Sequence, residues 1–169
     1  MQIRLKTISK AGIDEANSKA ELYRLLNEPE EAESICRDVL AVEPTHQLAL
    51  RLIGLAITDQ FCGGASDRFE EAEAFFQRLD DPYERFYYTG LGYERWAKAQ
   101  LRAGRPPHTL WVLLEKAMHC FAEAEKIRPE GNDDSILRWN SCARLIDSRP
   151  ESEWLPEFDM FETGDGSPL

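Results

Sequence analysis

The chain is short of most of what a catalytic, metal-binding or nucleic-acid-binding reading requires. It has three histidines and four cysteines among 169 residues. Cys36, Cys62, Cys120 and Cys142 are widely spaced and form no C-x-x-C. That pattern suggests neither a disulfide framework nor a tetrahedral zinc site, so the expectation is reduced thiols, some of them buried, with no metal and no cofactor. There is no H-E-x-x-H, no phosphate-binding loop and no G-x-S-x-G; the lone G-x-G of "GLGYERW" has neither a third glycine nor a preceding strand pattern. Excess positive charge is missing too: the formal net charge is −11. A surface of that sign repels polyanions, so neither nucleic acid nor an anionic membrane is an expected partner. No apolar run approaches the ~18 residues of a helical membrane span. The start, "MQIRLKTISKAG", has basic residues but no apolar stretch behind them. The expected location is therefore cytoplasmic.

What the chain does have is a helical spacing of small and large apolar residues. In "KAMHCFAEAEKIRP", Ala117, Phe121 and Ala124 fall at i, i+4 and i+7, and Pro129 follows five residues later. "EEAESICRDVLAVEP" repeats those offsets with Ala32, Cys36, Val39 and Pro44. "FEEAEAFFQRLDDP" repeats them with Ala72, Phe76 and Leu79, its Pro82 arriving early. Small residues at such positions let a paired helix approach, the large one fills the gap, and proline ends the helix. Ahead of two of these segments stand "LRLIGLAI", with Gly54, and "FYYTGLGY", with Gly90 and Tyr93. Ala32 and Gly54 are separated as a ~34-residue period requires.

On these residues, from about Ile13 to about Ser148, the sequence resembles the tetratricopeptide repeat (TPR) family. The resemblance implies an all-α fold, a helix-turn-helix solenoid of about three repeats (13–45, 46–82 and 83–129) followed by a capping helix at 133–148. Residues 1–12 form a lead-in and 149–169 an acidic, aromatic tail. His119 and Cys120 then occupy positions between packing residues, and no acid or amide is placed to orient the histidine as a triad would need. A structural role is expected for both.

Two stretches exceed the repeat template. One contains "CGGAS"; the other contains "RAGRPPHT", where Gly104 would stop one helix and Pro106-Pro107 start the next. Both extend the same edge, carrying Trp96, Leu101, Leu110, Trp111 and Leu114, which either pack on one another or form an added contact surface. The cap helix is expected to bury Ile136, Trp139, Ala143 and Ile146. The tail, with Trp154, Leu155, Phe158, Met160 and Phe161 among acids, has the composition of a docking segment.

The resemblance also implies a function: a scaffold or adaptor module without catalysis of its own, holding a protein or peptide along a concave groove lined by the first helix of each repeat. Transferred by offset, the groove residues are Arg24, Arg51, Leu55, Tyr87, Tyr88, Leu91, Arg95 and Arg138. The Lys and Asn clamp that some family members use for chaperone C-termini is absent, since those positions read Asn17, Glu21, Leu52, Glu84 and Tyr88. Arginine beside paired tyrosines suits an acidic, aromatic partner segment. The alternative reading is a self-assembling structural protein that uses its elongated edge or its tail.

Overall fold

Helix starts and stops follow the punctuation in the sequence. A computed structural model of the chain describes residues 3–155, and every regular element among them is helical. A 3-10 turn at Lys10–Gly12 leads into α1 (Ile13–Leu25), α2 (Pro29–Val42), α3 (Gln47–Asp59), α4 (Phe69–Phe76), α5 (Pro82–Arg102), α6 (Trp111–Lys126), α7 (Asp134–Asp147) and α8 (Glu151–Trp154). Proline opens α2 and α5, where its missing N–H costs no helical bond. Asp81 caps α5 by accepting from the Tyr83 N–H at 2.9 Å, and His46 caps α3 through Nδ1, accepting from the Ala49 N–H at 3.3 Å. Gly104 ends α5 with φ of 87°, the left-handed turn that favours glycine. Pro106-Pro107 does not start α6 directly; a 3-10 turn at Pro107–Thr109 comes first. Ahead of α7, Asn132 accepts from the Asp134 N–H at 3.0 Å.

From α1 to α7 each helix packs on the next, and α1 also touches α3, α3 touches α5, and α5 touches α7. The odd-numbered helices thus form one layer. The expected packing residues are buried: Ala32, Cys36 and Val39 on α2, Ala72, Phe76 and Leu79 on and just after α4, and Ala117, Phe121 and Ala124 on α6. The small residues opposite them are needed for the approach. A methyl group on Gly54 would lie 2.3 Å from Phe76 Cε1, and one on Gly90 would lie 2.9 Å from Phe121 Cε1. The same small-against-large contact therefore occurs in two successive helix pairs.

The two long stretches mostly fold back on the body. Trp96 stacks on Phe69 with centroids 4.7 Å apart and planes 7° off parallel, and Leu110 and Leu114 are buried. Gly63, with φ of 83°, sits so close to α5 that a Cβ would lie 2.6 Å from the Ala99 carbonyl oxygen. At the far end Trp154 is 2% exposed; its indole N–H donates to the Ile146 carbonyl at 2.9 Å and its ring lies 6.3 Å from that of Trp111. Trp154 therefore covers part of the last helix pair, while Phe158, Met160 and Phe161 lie outside the described residues.

One expectation is corrected. On α7 the fully buried positions are Ser135 and Cys142; of the expected stripe, Ile136, Ala143 and Ile146 are half-buried and Trp139 is 38% exposed. On the same helix Arg138 and Ser141 turn toward Oε1 of Glu94, a buried carboxylate on α5 whose Oε2 has no partner among the described residues. A buried charge is costly unless paired, which favours that side of α7 facing inward and leaves the indole of Trp139 toward the surface. Among the described residues no helix is long and apolar enough to cross a membrane.

Candidate functional site: the face of the odd-numbered helices

The layer of α1, α3, α5 and α7 carries a chain of ion pairs that crosses every helix boundary. Asp59, at the end of α3, accepts from Arg24 Nε on α1 at 2.7 Å and from Arg95 Nη1 on α5 at 2.6 Å. Arg95 also donates to Thr58 Oγ1 at 2.7 Å. Nearer the other end of α3, Arg51 donates to Glu84 at 2.7 Å, its guanidinium 5.9 Å from the centre of the Tyr88 ring. On α5 the Glu94 carboxylate is fully buried, faces Lys98 one turn on, and has Arg138 Nη1 at 3.6 Å and Ser141 Oγ at 3.4 Å across the α5–α7 boundary. Lys98 donates to Ser141 at 3.1 Å. Helical spacing produces this row: Glu94, Lys98 and Arg102 stand at i, i+4 and i+8, on one stripe of α5.

Of the residues expected to line the groove, Arg24, Arg51, Arg95 and Arg138 come together on this face. Tyr87 and Tyr88 are half-buried and act largely in packing. Tyr87 stacks on Tyr83 at 5.8 Å and meets Tyr88 edge-on at 5.1 Å, and Tyr88 stacks on Phe76 at 5.7 Å. Leu55 and Leu91 are buried in the core beneath the face and present no free surface. Five neighbours fall outside that residue set: Thr58, Asp59, Phe61, Lys98 and Arg102, which with Arg95 line an open pocket of about 270 Å³. The signal for Lys98 and Arg102 was in the i, i+4, i+8 stripe of α5, past the point where the repeat template stops. Asp59 also lines a second pocket of about 420 Å³ with Glu21, Arg24, Leu25, Asn27 and Pro29.

The electrostatics of the face follow from crowding. Burial holds the Arg95 guanidinium below its ordinary value, and Arg24 and Arg138 push the same way, against the opposing pull of Asp59. On the even-numbered side, Glu33 of α2 is the hub of a separate network. Arg68 binds it through two nitrogens at 2.6 and 2.8 Å, Gln60 at 2.8 Å and Arg37 at 3.0 Å. Those bonds, Arg68 foremost, hold its carboxyl down at about 2 against the effect of burial.

His119 is exposed and Cys120 half-buried. Burial, with Glu73 and Glu123 nearby, pushes the Cys120 thiol up to about 11, the opposite direction to the one a thiolate nucleophile needs. Burial similarly raises Cys36 and Cys142 to about 12. All four cysteines are free thiols. Among the described residues no cluster of His, Cys, Asp and Glu could hold a metal ion. Compared with protein-family models and with curated proteins, the chain matches none.

Proposed function

We propose that the chain is a TPR-like helical solenoid that acts as a protein-binding module, a scaffold or adaptor that holds a partner segment along the concave face formed by α1, α3, α5 and α7. The single observation that carries this reading is the layering. Sequential helix pairs whose first members also touch one another give one continuous face, and that face is where the cross-helix polar chain runs. The Gly54–Phe76 and Gly90–Phe121 contacts support the repeat reading, because they are equivalent contacts in two successive units. No catalysis is proposed. Self-assembly along the elongated edge is the second reading: Leu110 and Leu114 are buried and Trp96 is stacked against Phe69, while Val112 is exposed and Trp111, Met118 and Ile146 line an open pocket.

The test is affinity capture from a lysate of the native organism, with wild type beside Arg51→Ala/Arg102→Ala and beside a variant altered on the even-numbered helices, Glu70→Ala/His119→Ala. A protein retained by wild type and the second variant but lost by the first is the expected result. Loss with the second variant alone would move the site to the other side of the molecule.

A further inference from the structure

The odd-helix face carries more cations than acids near Arg95, on a protein of negative net charge; farther along the face Glu84 is taken up by Arg51, and Glu21 lies in the neighbouring pocket. Around Arg95 gather Arg24, Lys98, Arg102 and Arg138, five cations in all, against the two carboxylates Asp59 and Glu94. Both acids are already shared. Asp59 is divided between Arg24 and Arg95, and Glu94 between Lys98 and Arg138. Arg102 is exposed and pairs with no acid among the described residues, though it lines the pocket of about 270 Å³ with Arg95, Lys98 and Thr58. Phe61 supplies an apolar wall to the same pocket. The whole chain carries −11, so this concentration of positive charge runs against the average field of the molecule.

From the charge imbalance we infer that the pocket bounded by Thr58, Asp59, Phe61, Arg95, Lys98 and Arg102, whose one carboxylate is already held by Arg24 and Arg95, binds carboxylate side chains of an acidic partner peptide. This rests on the binding-module reading above and specifies the chemistry of its partner. Guanidinium groups recognise carboxylates through paired N–H donors, and a carboxylate entering here meets Arg102 unneutralised and Arg95 with donors to spare. The surrounding acidic surface repels a loosely held polyanion, so an acidic segment gains only by reaching this spot. A nucleic acid strand would need a cationic track along its length to displace its counterions, and the net charge of −11 argues against one. A peptide needs only one or two carboxylates at the pocket.

The test is a titration of the full chain, followed by amide NMR, with the peptide acetyl-Glu-Glu-Tyr-Glu-Glu-Tyr-Glu-Glu-amide and with its counterpart in which every Glu is Gln. Binding of the acidic peptide alone, with shifts centred on Thr58, Phe61, Arg95 and Arg102 and weakening as salt is added, is the expected result. Arg102→Glu should weaken it about tenfold or more, as losing a charge-assisted contact implies. Lys126→Glu, the same change in net charge on α6, should leave it intact. Arg102 is exposed, so its replacement leaves the fold standing, and unchanged circular dichroism checks that. Equal binding of both peptides at this face would overturn carboxylate recognition and leave the binding-module reading in place. No binding of the acidic peptide, or binding that ignores Arg102→Glu, would overturn the proposal outright, with the capture experiment still judging the module reading separately. A single-stranded oligonucleotide that displaced the peptide from this pocket at lower concentration would overturn it in favour of phosphate.

Discussion

Gly54 has no room for a methyl group. Phe76 fills the space at 2.3–2.8 Å and is itself fully buried, so the ring has nowhere to go. Gly54→Ala should therefore destabilise by roughly 1–3 kcal/mol despite alanine's better helix propensity. Gly92→Ala, whose new Cβ would sit 3.4 Å from Phe69, is an ordinary contact and should be neutral or stabilising by up to about 1 kcal/mol. Urea unfolding of the two variants checks the pair, and similar losses in both would contradict the packing account. Glu33 supplies a pH-dependent counterpart. Its carboxyl is lowered from 4.5 unfolded to about 2 folded, so its contribution is complete above 4.5 and is lost as pH falls from there through about 2. Glu33→Gln should cost roughly 1–3 kcal/mol at neutral pH, allowing for the partly exposed arginines, and should flatten the acid limb of stability. Unfolding midpoints of wild type and variant across that range decide it. A gap that stays constant down to pH 2 would mean that the network contributes through packing alone.

At the scale of elements, much was legible because one residue type forces one contact. The i, i+4, i+7 spacing that starts with alanine on α2, α4 and α6 (Ala32, Cys36 and Val39; Ala72, Phe76 and Leu79; Ala117, Phe121 and Ala124) is a packing requirement, and those positions are buried. Proline and glycine at helix ends act on the backbone alone, so α2, α5 and the stop at Gly104 follow from the sequence. Where the choice of face depends on a partner far along the chain, local pattern fails. On α7 the apolar residues pointed to Trp139, but Glu94, some forty residues earlier, takes Arg138 and Ser141 inward. Lys98 and Arg102 were missed as site residues for a related reason: the extra length of this stretch was legible, but groove positions transferred from a repeat template of fixed length stop short of them. The short α8 makes a prediction of its own. Trp154 fills the end of the array against Trp111 and Ile146, so Trp154→Ala should cost about 3 kcal/mol. Hydrogen exchange should rise in α7 and α6 while α1 to α3 are unchanged. A uniform rise across all helices would mean that the array opens only as a whole.

Over the whole molecule the contacts are between neighbours in sequence, α1 on α2 through to α6 on α7, with the odd-numbered helices linked in a second row. Such an arrangement gives two extended sides with different chemistry. The even-helix side includes the Glu33 network, where four side chains close around one another. The odd-helix side has open pockets on either side of Asp59 and more cations than acids in the second of them. The even-helix side has a pocket of its own, about 430 Å³, lined among others by Tyr93, Val112 and His119, but no comparable gathering of arginines. The two sides thus differ in chemistry, and a partner that reads negative-to-positive charge complementarity is directed to the odd-helix side.

The most direct measurement places a photo-crosslinking amino acid at single exposed positions and irradiates the protein in native lysate. Glu21 and Leu25 are exposed and line a pocket of the odd-helix side beside Asp59, and Ala74 and His119 are exposed on α4 and α6. None of the four replacements removes a buried group or one of the arginines proposed to hold the partner, so neither folding nor binding is at issue. One shared crosslinked protein from Glu21 and Leu25 that is absent from Ala74 and His119 is the expected result. The same protein captured from Ala74 and His119, and not from the other two, would contradict it.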